Sequence, residues 1–131
     1  MGRPKHERLK RLVTLQQRVK ALHDARHAAH LTEARVAEQE AAALIESLND
    51  PKGVAALFPA LVHARIASAL ARRDASWKEA AREAGESAAA RARVERAGQA
   101  YRQALGQHER ALEAKTILEL LEQRLSRKAG G

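Results

Sequence analysis

Only one interior segment of this 131-residue chain gathers several helix-breaking residues together: Asn49-Asp50-Pro51-Lys52-Gly53. Asn and Asp favour turns, Pro51 pushes the residue before it out of the helical region, and glycine reaches backbone angles closed to other residues. On either side the chain reads as helix. From Pro4 to Leu48 nothing interrupts one. Leu12, Leu15, Val19 and Leu22 follow 3-4-3 spacing, the stripe thins to Ala25, Ala29, Thr32 and Val36, and it recovers at Ala41, Leu44 and Leu48. After the break comes a short apolar piece, Val54-Ala55-Ala56-Leu57-Phe58, and then Pro59, which suits the first turn of a new helix. From there a 3-4 repeat runs through Ile66, Leu70, Arg73, Trp77, Ala80, Ala84, Ser87, Arg91, Val94, Gly98, Tyr101, Leu105, His108 and Leu112, and then shifts to Leu118, Leu121 and Leu125.

This spacing predicts helix one over about 4–48, a turn at 49–58, helix two over about 59–127 and a disordered tail at 128–131, all in a single domain. The expected fold class is all-α: a two-helix antiparallel coiled-coil hairpin, an elongated rod roughly 100 Å long whose second helix overhangs the first. The overhang leaves Leu118, Leu121 and Leu125 uncovered. Gly85, Gly98 and Gly106 each cost about 1 kcal/mol relative to alanine and mark where the second helix is expected to bend or fray.

Composition points the same way. Phe58, Trp77 and Tyr101 are the only aromatic residues, and much of the 45 % hydrophobic fraction is alanine, so the apolar area is too small for a thick globular core but sufficient for a thin seam between helices. The absence of cysteine excludes disulfides, iron–sulfur clusters and cysteine-based zinc sites. The longest apolar run, Val54 to Val62, contains Pro59 and is too short to span a bilayer, and no apolar leader follows Met1, so a soluble, cytoplasmic protein is expected. Of the net charge of +8, residues 1–30 carry +6, residues 31–90 carry −2 and residues 91–131 carry +4. In a hairpin the end bearing both termini therefore holds about +10.

Few residues suggest chemistry. His23, His27 and His30 turn three imidazoles toward one helical sector, but no carboxylate or cysteine stands in register, and they read as solvated surface histidines, not a metal site. Gly2-Arg3-Pro4-Lys5 has the core of an AT-hook without its preceding basic residue, and no aromatic element interleaves with the basic arms to stack bases. His6 stands where a myristoylation signal needs Ser or Thr. No phosphate-binding loop, GxSxG elbow or catalytic carboxylate pair occurs, so no catalytic activity, cofactor or small-molecule substrate is expected. Trp77 and Tyr101 read as bulky knobs of the seam. Leu57, Phe58 and Leu61 flank the turn, where they either close the tip or form an apolar patch for a partner.

A basic hairpin of this length, with a proline–glycine turn near position 50, Trp77 early in the second helix and the charged, leucine-bearing stretch Glu113-Ala114-Lys115-Thr116-Ile117-Leu118-Glu119-Leu120-Leu121-Glu122-Gln123-Arg124, resembles the FliJ family of flagellar type III export and its injectisome stalk counterparts. The resemblance is one of architecture and covers nearly the whole chain. It implies a central-stalk protein whose terminal end enters an export ATPase ring, whose bend contacts the membrane export gate, and which escorts export chaperones in some members. On that resemblance Arg8, Arg11, Arg18, Lys115, Glu119, Arg124 and Arg127 face the ATPase, and Leu44, Leu48, Phe58, Leu61, Ile66 and Leu70 face the gate. The family's richer aromatic content near the turn is reduced here to Phe58. Competing readings are a basic coiled coil that binds nucleic acid, which is not the expected partner, and a structural coiled coil that homodimerises through its overhang.

Overall fold

A computed structural model describes residues 2–130. Helix α1 spans Lys5–Leu48, a 3₁₀ turn spans Val54–Leu57, and helix α2 spans Pro59–Gly130; no strand occurs among the described residues. The two long helices pack against each other as a helical hairpin. The expected tail is a correction: Lys128 to Gly130 continue α2, with Arg127 and Lys128 in its last turn, where cations complement the helix dipole, and Gly131 lies outside the described residues. Helix α2 also passes through Gly85, Gly98 and Gly106 without interruption.

The connection is built as its residues dictate. The amides of Asn49 and Asp50 bond back to the carbonyls of Glu46 and Ser47, tightening the end of α1, and the Asp50 carboxylate accepts the Lys52 amide at 3.0 Å, an Asx turn. Gly53 is not there for its backbone freedom. Its φ of −77° and ψ of 161° are open to any residue, but a Cβ would stand 3.2 Å from Asp50 Oδ2, so glycine makes room for the turn's own carboxylate. The Phe58 carbonyl accepts the Val62 amide to start α2, and Pro59 occupies the first helical position, where its missing N–H costs nothing.

The chain divides into two compact units: a hairpin unit, Arg18–Ala90, and a terminal unit, Met1–Gln17 with Arg91–Gly131. In the hairpin unit a strict 3-4 repeat of covered positions runs on α1 through Lys20, His23, His27, His30, Ala34, Ala37, Ala41, Leu44 and Leu48, and on α2 through Val62, Ile66, Ala69, Arg73, Ser76, Ala80, Glu83, Ser87 and Ala90, with Val19, Leu31, Ser47, Leu70 and Ala89 half-buried beside it. In the terminal unit the repeat continues through His6, Leu9, Val13 and Gln16 facing Val94, Ala97, Tyr101, Ala104 and His108, with Gly98, Ala100, Leu105 and Gly106 half-buried beside it. The 3-4 repeat is therefore real, but its register differs from the one that bulk suggests. Leu12, Leu15, Leu22, Val36 and Trp77 lie outside the seam, and Ala69, Ser76, Glu83, Ala90, Ala97 and Ala104 take the places expected for Leu70, Trp77, Ala84, Arg91, Gly98 and Leu105. Alanine at alternate seam positions lets two helices approach closely, and a large side chain there would hold them apart.

Candidate interaction surfaces

The middle of the hairpin unit's seam is polar. Glu83 is only 2 % exposed, and His23 Nδ1 donates to its Oε2 at 2.5 Å, while Arg82 reaches its other oxygen at 3.3 Å. His27 Nδ1 donates to the Ala80 carbonyl at 2.8 Å, and His30 Nδ1 is buried without a hydrogen bond, 3.4 Å from a Glu33 carboxylate oxygen. Beside them Ser87 Oγ donates to Asp24, which also pairs with Lys20. The expectation of solvated histidines is thus corrected. His23, His27 and His30 sit half-buried because their spacing places them on the seam itself, and Glu83 supplies a carboxylate to His23 from α2. The hydrogen bond from His23 holds the Glu83 carboxyl below its ordinary pKa against the opposing effect of burial, with Arg82 assisting. Hydrogen bonds from Lys20 and Ser87 do the same for Asp24. No group of three or more histidine and carboxylate side chains among the described residues converges closely enough to hold a metal ion.

At the bend, a groove of about 390 Å³ is lined by Leu44, Val54, Phe58, Leu61 and Val62, with Asp50 and Arg65 at its edge. Phe58 is 57 % and Leu57 73 % exposed, so neither closes the tip. Of the residues assigned to the gate by resemblance, Leu44, Phe58 and Leu61 come together in this groove, whereas Leu48 and Ile66 belong to the seam and Leu70 is half-buried beside it, all three outside the groove lining. Trp77 is likewise not a knob: it is 44 % exposed, and the Arg73 guanidinium lies 4.8 Å from its ring centroid. Tyr101 does occupy the seam, half-buried.

The terminal unit holds fourteen basic and six acidic side chains, and the hairpin unit holds ten of each, so the whole net charge of +8 belongs to the terminal unit. Arg8, Arg11, Lys115, Glu119, Arg124 and Arg127 are exposed members of it, while Arg18, equally exposed, belongs to the neutral hairpin unit. The His6 and His108 rings, 4.4 Å apart, mark the last pair along the seam. Every residue from Glu109 to Gly130 is exposed, including Leu118, Leu121 and Leu125 of the expected overhang and Ile117 and Leu120 beside them. A second groove, of about 330 Å³, lies between the two helices of this unit, with Leu9, Leu12 and Gln16 on α1 and Arg93, Arg96, Ala97 and Ala100 on α2. Arg93 and Arg96 had carried no signal beyond their charge. No helix among the described residues is long and apolar enough to cross a membrane. Compared with protein-family models, curated proteins and solved structures, the chain finds no match.

Proposed function

We propose that this chain is a non-catalytic adaptor of a type III export apparatus, a stalk that binds and stimulates an export ATPase ring through its terminal unit and contacts the membrane export gate through its bend. The observation that carries the reading is the partition of charge: the unit bearing both termini holds all of the +8, and the unit bearing the bend is neutral with apolar residues at its tip. Two chemically different surfaces suit two different partners. The basic surface is suited to acidic loops of a ring, with electrostatics steering the encounter. The apolar tip, with Leu44, Phe58 and Leu61 in one groove, is suited to an apolar gate surface. In this role the chain works in the cytoplasm, peripherally at the export apparatus, with export chaperones as further partners.

The test is ATP hydrolysis by the cognate ATPase with and without this protein, repeated with Arg8→Glu, Arg11→Glu and Arg124→Glu combined. Stimulation of turnover by the native chain and its loss in the charge-reversed one is the expected result. Absence of stimulation, alongside tight binding of duplex DNA in the same buffer, would overturn the reading in favour of a nucleic-acid-binding coiled coil.

A further inference from the structure

One flank of the terminal unit combines charge and apolar surface in an unusual way. On α1, Lys5, Arg8, Leu12 and Leu15 recur at 3-4-3 spacing and so share a flank just outside the seam. On α2, Arg93, Arg96, Ala100, Gln103, Gln107 and Arg110 do the same, and Leu12 meets Arg93, Arg96 and Ala100 across the groove. This side carries five basic residues and no acidic one. The ion pair of the terminal unit, Arg91 with Glu95 at 3.6 Å, begins on the opposite flank of α2, and Arg8, Arg93 and Arg96 enter no ion pair among the described residues. Between these cations the floor is apolar, formed by half-buried Leu9 and buried Ala97, with Leu12 and Leu15 standing 40 % and 55 % exposed.

We propose that this groove is a docking site for a short amphipathic helix of a partner protein, with leucine-type side chains on the face that enters the groove and Asp or Glu along its two edges. Each part of the groove selects a part of that ligand. Apolar floor between two ridges is what a helix buries its stripe into. Unpaired guanidinium groups on the α2 ridge, with Lys5 and Arg8 on the α1 side, suit carboxylates at both edges. The flank from Lys5 to Leu15 is about 15 Å long at helical rise, enough for roughly three turns of ligand. A nucleic acid would use the cations but would leave Leu12 and Leu15 facing a phosphate backbone, and no exposed aromatic ring offers a base a stacking partner on this side. The proposal does not depend on the export reading, since its test uses no ATPase.

The experiment measures fluorescence anisotropy of a labelled four-turn peptide with a leucine stripe and glutamate flanks, titrated with the full chain. A peptide of the same composition in scrambled order and a labelled DNA duplex are run beside it. The striped peptide is expected to bind and the scrambled one to bind at least about tenfold more weakly. Combined Arg93→Glu and Arg96→Glu, and separately Leu12→Glu, should each weaken the striped peptide by about tenfold or more. Arg102→Glu, on the outer face of α2, should change it by less than about twofold. Circular dichroism confirms that each variant remains helical, and Leu12→Gln serves should Leu12→Glu unfold. Equal binding of striped and scrambled peptides, preferential binding of the duplex, or an Arg102→Glu loss as large as that of the Arg93 and Arg96 pair would each overturn the proposal.

Discussion

Ala69 is fully buried on the seam of the hairpin unit, next to half-buried Leu70, and replacing it with leucine separates two ways of reading the repeat. If the bulkier neighbour Leu70 occupied the seam, position 69 would be a flank, and the added methylene groups would cover apolar surface at up to about 0.8 kcal/mol each, a gain of roughly 2 kcal/mol. With Ala69 in the seam there is no room for them. The helices must separate or the leucine must leave its rotamer, at a cost of about 1–3 kcal/mol. The two readings differ in sign and by roughly 3–5 kcal/mol in total. Urea unfolding followed by helical circular dichroism resolves this, because at roughly 2 kcal/mol per molar urea the expected destabilisation lowers the midpoint by about 1 M. A midpoint that rises in Ala69→Leu would refute the alanine seam, and with it the account of why the leucines lie outside.

Trp77→Ala should cost no more than about 1.5 kcal/mol in the same assay, since an exposed cation–π contact with Arg73 is worth about 0.5–1 kcal/mol; a loss of about 3–5 kcal/mol would mean a core residue. Gly85→Ala should stabilise the chain by about 1 kcal/mol, because position 85 is helical and a Cβ there meets nothing within 4 Å; a lower urea midpoint would contradict the open surroundings. Glu83 titrates lower in the folded chain than in the unfolded one, so its stabilising effect is present above the ordinary carboxylate range and is lost as pH falls through the folded value. The difference in urea midpoint between the native chain and Glu83→Gln should therefore persist at pH 5 and shrink below about pH 4; its disappearance by pH 6 would show that the contact with His23 does not set it.

The break at 49–53 and the proline at 59 were legible because they are local chemistry: a side chain that caps, a ring that lacks an N–H, a residue without Cβ. Helix ends followed from them within a residue or two. The seam register was not legible, and the reason is physical. A 3-4 repeat leaves two neighbouring choices at every second position, and hydrophobicity favours Leu70, Trp77 and Leu105 over Ala69, Ser76 and Ala104. Close approach of two helices reverses that order, because what the seam requires is small volume. The same error hid the histidines. Once Ser76 and Glu83 face inward, His23 and His27 have partners across the seam, the buried Glu83 carboxylate and the Ala80 carbonyl, while His30 is covered with its Nδ1 unbonded. The tip was partly legible, since Leu44, Phe58 and Leu61 do meet in one groove and Leu57 is exposed as an apolar patch requires, whereas Val54, equally exposed, carried no signal beyond its hydrophobicity.

The placement of bulk and charge in this hairpin reverses the usual order of a small helical protein, and that reversal bears on what it does. A chain built only to be stable would bury its leucines and expose its alanines, because each large aliphatic side chain moved from water into a seam is worth about 1.5–3 kcal/mol. Here alanine, serine, histidine and glutamate hold much of the seam, while Leu12, Leu15 and Leu22 on α1, Leu57 and Phe58 at the bend, and Leu118, Leu121 and Leu125 near the end of α2 face solvent. Scattered single leucines would need no explanation, but these recur at helical spacing or cluster at one turn. Apolar surface kept outside the seam is the arrangement that the proposed adaptor role calls for. The stability forgone inside becomes available as contact area once a partner covers the leucines, so partner binding should raise the urea midpoint, whereas a hairpin complete in itself would gain nothing from company.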